Sequence, residues 1–343
     1  MTTLGLHVFC SVKGGVGKST LAVVTAKLLA QVGRVPVVVD ADMLGASLAD
    51  GLRLCAPVVE TTLVGTLDLE ALPAGRWYSV DATRTLRQTR RIQLEKQEND
   101  PMEVGFPPPA FLNDALTYQV PDPERECAIG GMLWSHETPD GVWYLPSSPL
   151  RVDAARAAPY ALGATQDFRW VRRLTWIIEG LLAQRTDVTD VVLDLPPGTW
   201  GFAHEVMVLV GMLGRNLPLP RGYPEWTSAR RWRINPFIVT SRDRNDRVLA
   251  MEYLLDTLTL VPDLLPLCNR MHEDIRSVRD QVRSDLPSEL RALGLEMKMR
   301  SIPELRNSLG RVFVDGDLMM EEREELLSAL RLEGLADSEA SGS

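Results

Sequence analysis

Residues 11–20 read Ser-Val-Lys-Gly-Gly-Val-Gly-Lys-Ser-Thr, and no other stretch of the chain restricts its fold so narrowly. Gly14, Gly15 and Gly17 allow successive backbone N–H groups to turn inward onto phosphate oxygens. Lys18 can reach β- and γ-phosphates, and Ser19 offers a hydroxyl to Mg2+. A loop of this kind requires a buried strand before it and a helix after it, so that the helix N-terminus faces the phosphates. Leu6, Val8 and Phe9 supply the apolar strand. Leu21, Val24, Thr25, Leu28, Leu29 and Val32 recur at helical spacing over 19–32, and Gly33 stops the helix. The ordinary pattern G-x-x-x-x-G-K-[ST] would place glycine at position 12; this chain has Val12, followed by Lys13.

Two further acidic strand ends fit the same layout. Val35 to Val39 form an apolar strand that runs into Asp40-Ala41-Asp42. Val188, Val191, Val192 and Leu193 form another, ending at Asp194 and followed by Pro196-Pro197-Gly198. In open parallel sheets ligands bind at the C-terminal ends of the strands, where an acid such as Asp194 can hold Mg2+ through water. Asp40, at its strand end, can support the metal's water shell. Residues 141–146, 236–241 and 264–270 read as further strands, and Val248 to Leu258 as a helix. The fold expected is α/β: a doubly wound, mostly parallel sheet with helices on both faces, as in P-loop NTPases.

The segment Lys13-Gly14-Gly15-Val16-Gly17-Lys18-Ser19 is similar, without a gap, to the K-G-G-x-G-K-[ST] motif of the ParA/MinD-like P-loop ATPases, the group with a deviant Walker A motif. Residues 193–199, Leu-Asp-Leu-Pro-Pro-Gly-Thr, resemble the switch II loop of its Mrp-like members. The resemblance implies ATP and Mg2+ as cofactors, ATP hydrolysis, and a homodimer that forms on ATP binding. It implies catalytic roles for Lys18, for Asp42 as orienter of the attacking water, and for Lys13 reaching across to the partner's phosphates. Nucleotide contacts fall on Gly14, Gly15, Val16, Gly17, Lys18, Ser19 and Thr20, and metal contacts on Ser19, Asp42 and Asp194. By the same resemblance Asn269, with Arg270 beside it, reads the adenine edge, and an amide that donates and accepts suits that task. Pro303 lies in what resembles the family's late Ile-Pro loop, which flanks the base. Trp200 and Phe202 replace smaller and acidic residues of Mrp-like members, pointing the switch toward a different partner.

The function so implied is a nucleotide-gated dimeric switch that signals to DNA or to a protein partner in partitioning, positioning or assembly control. Two alternatives stay open: an Mrp-like carrier of metal or iron–sulfur clusters, and a binding module that nucleotide merely stabilises as a dimer. Cluster carriers use paired cysteine ligands. The four cysteines here, at 10, 55, 127 and 268, show neither C-x-C nor C-x-x-C spacing.

Length and landmarks point to a single P-loop ATPase domain over 1–335, with insertions at about 60–130 and at 211–233 and a disordered tail at 336–343. Within the first insertion Arg84, Arg87 and Arg91 share one face if helical. The stretch 84–96 carries five basic residues and one acid on a chain of net charge −9. That stripe is either a solvated face or a grip for DNA backbone or an acidic protein. Arg230, Arg231 and Arg233, interleaved with Trp226 and Trp232, could stack on bases, enter a protein interface, or simply pin a long loop to the body. No segment resembles a signal peptide or a membrane span, and a cytoplasmic location is expected. Residues 321–343 carry seven acids and two arginines. A short amphipathic helix there, bearing Leu326, Leu327, Leu330 and Leu335, would be repelled by an anionic membrane, so direct membrane anchoring is not expected.

Overall fold

The computed structural model describes residues 3–45, 48–56, 78–81, 83–84, 111–117, 132–162, 169–226, 231–271, 275–303 and 323–332. Arg87, Arg91, Arg230, Cys127, Leu335 and the expected tail lie outside them.

The described strands are β1 (Thr3–Cys10), β2 (Pro36–Asp40), β3 (Leu54–Ala56), β4 (Tyr78–Ser79), β5 (Trp134–His136), β6 (Trp143–Leu145), β7 (Asp190–Asp194), β8 (Arg231–Thr240), β9 (Leu265–Met271) and β10 (Arg300–Pro303). They form one sheet in the order β10-β9-β8-β1-β7-β2-β6-β5-β3-β4. Every pairing from β10 to β6 is parallel. The β6–β5, β5–β3 and β3–β4 pairings are antiparallel.

Side chains along the central strands alternate between two cores, because successive residues of a strand face opposite sides. Leu6, Val8, Val37, Val39, Val191 and Leu193 belong to one core. Phe9, Val38 and Val192 belong to the other. The first core is covered by α5 (Arg169–Gln184), α6 (Gly201–Gly214), α7 (Arg244–Thr257) and α8 (Ile275–Asp285). The second is covered by α1 (Lys18–Gln31) and by α9 (Arg323–Ala329), which buries Leu326 and Leu327. Helices on both faces of a mostly parallel sheet make the doubly wound P-loop fold.

Several expected boundaries move. Of the segment 211–233, residues 211–214 complete α6 and 231–233 open β8. Pro236 sits inside β8 because the β8–β9 ladder begins only at Phe237, so Pro236 pairs with β1 alone; a proline without its N–H is tolerated there. Trp226 is buried, donates from Nε1 to Glu179 Oε2 (2.9 Å), and lies 4.8 Å from the ring of Trp232. Trp226 and Trp232 are thus packed on the body. α7 begins at Arg244, ahead of the expected 248, because Asp243 caps it by accepting from the amides of Asn245 and Asp246. Residues 300–303, expected as a loop, are a strand on β9 whose register shifts before Pro303.

Part of the 60–130 segment is also built into the body. The short helix α3 (Leu112–Thr117; α2 is Leu48–Gly51 and α4 is Arg151–Leu162) is preceded by Phe111, stacked on Trp134 at 5.3 Å. Phe111, Leu112 and Leu116 are fully buried, each stabilising the fold by roughly 1.5–3 kcal/mol. Arg84 is ion-paired with Asp50, and with Asp81 at 3.6 Å.

At the N-terminal edge of the sheet a buried polar cluster ties β1, β7 and β8 together. Asp190 Oδ1 lies 3.0 Å from His7 Nε2 and accepts from Arg233 Nη2 at 3.0 Å. Its Oδ2 accepts from Arg34 Nε at 2.7 Å and Thr189 Oγ1 at 2.8 Å. Asn235 Nδ2 stands 3.3 Å from His7 Nδ1. A neutral His7 protonated on Nε2 satisfies both neighbours, and burial holds its pKa below the ordinary 6.5. Arg233, a candidate DNA contact in the sequence, is thus engaged with Asp190.

Candidate nucleotide site

The site is built at the opposite, C-terminal edge. β1 ends at Cys10, and the loop 11–17 follows, with Gly15 (φ 78°) and Gly17 (φ 88°) in the left-handed region. Only glycine adopts that backbone without strain, and Gly17 has a second reason to lack a Cβ: one would stand 2.1 Å from Asn269 Nδ2. Lys18 opens α1, with Ser19 and Thr20 half-buried beside it, so the first turn presents backbone N–H groups and the positive end of the helix dipole to the loop. The switch II segment is tied in by Gly198 N donating to Ser11 O at 2.8 Å.

Lys18 is buried and lies between two carboxylates. Its Nζ donates to Asp194 Oδ1 at 2.5 Å and to Asp42 Oδ2 at 3.5 Å. Asp40 pairs in register with Asp194 on the neighbouring strand. Its Oδ2 accepts from Ser147 Oγ at 2.6 Å, Leu48 N at 2.9 Å and Ser147 N at 3.2 Å. Asp42 Oδ1 accepts from Gly45 N at 3.0 Å. Asp40 Oδ1, Asp194 Oδ2 and Ser11 Oγ are buried with no protein partner.

The electrostatics follow from this crowding. Burial, reinforced by the charge of Asp194, pushes the Asp40 carboxyl up to about 7. Burial also raises Asp42, although Lys18 pulls the other way. For Lys18, burial works against the ammonium, but Asp194, Asp42 and Asp40 outweigh it and the pKa rises. Three carboxylates around one ammonium leave excess negative charge that a cation can offset.

Hard oxygen donors of this kind fit Mg2+. Ser19, Asp42 and Asp194 would hold it directly or through its waters, and the partnerless oxygens of Asp40 and Asp194 can accept from those waters. Mg2+ keeps several waters and shares its shell with phosphates, so no closed protein cage is required.

The other sequence candidates are distributed around this centre. Gly14 is exposed and Val16 buried. Asn269, near the end of β9, donates from Nδ2 to Val16 O at 2.9 Å, so one of its amide protons braces the loop. Arg270 follows it in β9, and Pro303 ends the adjacent β10. Lys13 is largely exposed, and its Nζ donates to Asp246 Oδ1 at 3.0 Å. Asp246 is itself fixed by Ser241 Oγ at 2.6 Å. Arg231 and Arg233 lie at the start of β8, on the edge away from the loop. Trp200 is 63% exposed, between Gly198 (φ 121°) and Gly201 (φ 61°).

Sequence reasoning missed Ser147 and Asp246. A Pro-Ser-Ser-Pro turn after a strand and an aspartate in the first turn of a helix are ordinary surface patterns, and only the fold brings them to Asp40 and Lys13.

A mostly parallel, doubly wound sheet with this loop and these strand-end acids defines a P-loop NTPase fold. A family model described as "ParA: NUBPL iron-transfer P-loop NTPase" matches residues 6–67, and over that stretch the chain is similar to that family. No curated protein matches the chain. Among solved structures, the septum site-determining protein MinD of Pyrococcus horikoshii OT3, complexed with Mg-ADP, is similar at 15% identity, with 98% of this chain and 100% of that chain covered and a TM-score of 0.49. Cobyrinic acid a,c-diamide synthase of Mycobacterium smegmatis, with bound ADP and magnesium, shows 16% identity over 97% and 96% at a TM-score of 0.47. A plasmid partition protein of Borrelia burgdorferi shows 10% identity over 97% and 100% at 0.45. Among the described residues no helix is long and apolar enough to cross a membrane.

Proposed function

We propose that this chain, as one P-loop domain over 1–335, is a cytoplasmic, Mg2+-dependent ATPase working as a nucleotide-gated dimeric switch. The observation that carries the reading is Lys18 held at the mouth of the glycine loop between Asp194 and Asp42. Lys18 and the loop amides bind the β- and γ-phosphates, Thr20 and Ser19 lie at the first turn of α1 beside them, and Asn269, Arg270 and Pro303 flank the base. Bound Mg2+ would neutralise developing charge on the phosphates. Asp42, released from Lys18 when phosphate takes its place, orients the attacking water. Lys13, on the exposed rim, acts on the nucleotide of a second copy. The output is a conformational signal to a protein partner. A DNA output would need Arg87, Arg91, Arg230 or the exposed Arg231, since Arg84 and Arg233 are already ion-paired.

A cluster-carrier role would fit the iron-transfer family that residues 6–67 resemble, but two of the thiols oppose it. Cys10 and Cys268 are buried, and burial pushes the Cys10 thiol up to about 12, so it is no ready ligand.

The test combines ATP turnover with light scattering. Lys18→Ala is expected to abolish nucleotide binding, and Asp42→Ala to bind ATP and accumulate as dimer without turnover. Undiminished ATP affinity in the first variant, or parent-rate turnover in the second, would overturn the reading.

A further inference from the structure

Ser147 belongs to no nucleotide-binding motif, yet both its amide and its hydroxyl donate to a strand-end acid. β6 runs parallel to β2, with Leu145 opposite Val39, so the turn that follows β6 emerges beside Asp40. There the backbone N–H and the hydroxyl of Ser147, with the amide of Leu48, all converge on Asp40 Oδ2. Three donors on one oxygen saturate it and fix the carboxylate plane. Oδ1 is left buried and without a protein partner, as is Oδ2 of the neighbouring Asp194.

The turn is itself clamped from behind. Ser148 N donates to Asn113 Oδ1 at 2.7 Å, Ser148 Oγ to Asp153 Oδ2 at 2.5 Å, and Leu112 N to Pro146 O at 2.9 Å. Asn113 and Asp153 are both fully buried, on α3 and α4. Hydrogen bonds joined by the Ser147–Ser148 peptide therefore connect Asn113 on α3 to a carboxylate of the candidate site.

We propose that Ser147 is a positioning residue for the metal. By saturating Asp40 Oδ2 it directs Oδ1 to accept a hydrogen bond from a water of the nucleotide's Mg2+, and Asn113 holds the Ser147–Ser148 turn at the distance this requires. The proposal rests on the reading of the site as a Mg-nucleotide site. It differs from a purely structural role for Ser147 in one respect: the loss on mutation is confined to the metal-dependent part of binding.

ADP binding measured by calorimetry, with Mg2+ and separately in EDTA, separates the two. Outer-shell partners of metal ligands typically contribute 10–100-fold in metal affinity. Ser147→Ala is expected to reduce the Mg2+-dependent gain in ADP affinity by roughly 10-fold while leaving affinity in EDTA unchanged. Ser147→Thr, which keeps the hydroxyl, restores the gain, and Asn113→Ala shows the same confined loss. An unaltered gain in Ser147→Ala, or an equal loss with and without metal, overturns the proposal. A wild-type protein that binds ADP without any Mg2+-dependent gain overturns the metal reading and this proposal together, and one that binds no ADP removes the nucleotide site itself.

Discussion

Gly5→Ala places a methyl group in the polar cluster at the far edge of the sheet. The new Cβ would stand 1.9 Å from Asp190 Oδ1, 2.8 Å from its Cγ and 2.9 Å from His7 Nε2. An ordinary carbon–oxygen approach is about 3.3 Å, so the carboxylate must retreat by more than about 1 Å. It has nowhere to go, because Arg34 and Thr189 already occupy its other oxygen at 2.7 and 2.8 Å. The bonds from His7 and Arg233 to Oδ1 must break or stretch. Hydrogen bonds to charged groups contribute roughly 1.5–3 kcal/mol each. Arg233 is partly exposed and its share is screened, so the expected loss is about 3–5 kcal/mol, a large fraction of a typical total of 5–15. Thermal and urea denaturation read this directly, the melting temperature of a chain this long falling by roughly 4–7 °C. Asp190 and Asp194 are the two ends of β7, about 13 Å apart at ~3.3 Å per residue. Nucleotide affinity of the folded variant should therefore stay within about twofold of the parent. A loss below about 1 kcal/mol would show that the cluster can yield and would refute the argument.

Other expectations concern charge. Asp246→Asn removes the carboxylate that holds Lys13 within its own chain, so ATP-dependent dimer should form at lower protein concentration; an unchanged or weaker dimer in sedimentation would mean that Asp246 does not restrain Lys13. His7, facing Asp190, Arg34, Arg233 and Asn235, has a pKa lowered from 6.5 by burial. The unfolded chain binds a proton as pH falls through that value and the folded chain does not, so stability should decline below it and level off above. In His7→Gln that part of the slope should vanish in urea titrations run from pH 5 to 8; an identical slope would exclude His7 as its source.

The glycine loop, its strand and helix, and the acids at the ends of β2 and β7 were legible because each depends on local pattern: an apolar run, a 3.6-residue period, a glycine where φ is positive. What escaped depended on pairing. β3, β4 and β5 are three residues long or shorter, too short for a period to register, and their antiparallel addition beyond β6 is set by contacts across the sheet. β8 begins five residues ahead of the strand expected from Pro236, because a proline usually opens a strand and is tolerated inside one only where a single neighbour uses that position. Asn269 was assigned from its motif, but its bond to Val16 O joins residues 253 positions apart in the chain, which no local pattern encodes. The same holds for Ser147 with Asp40, and for Lys13 with Asp246.

The ammonium of Lys18 already has counter-ions of its own in Asp194 and Asp42, and in the proposed site this would discriminate among anions. A lone orthophosphate or sulfate that drew Lys18 away would leave two buried carboxylates uncompensated, an expensive arrangement in a low-dielectric site. A polyphosphate that arrives with its divalent cation supplies the anion for the lysine and the cation for the carboxylates together. In the proposed Mg-nucleotide site the internal ion pair would act as an electrostatic filter, favouring metal-chelated phosphate chains over simple anions.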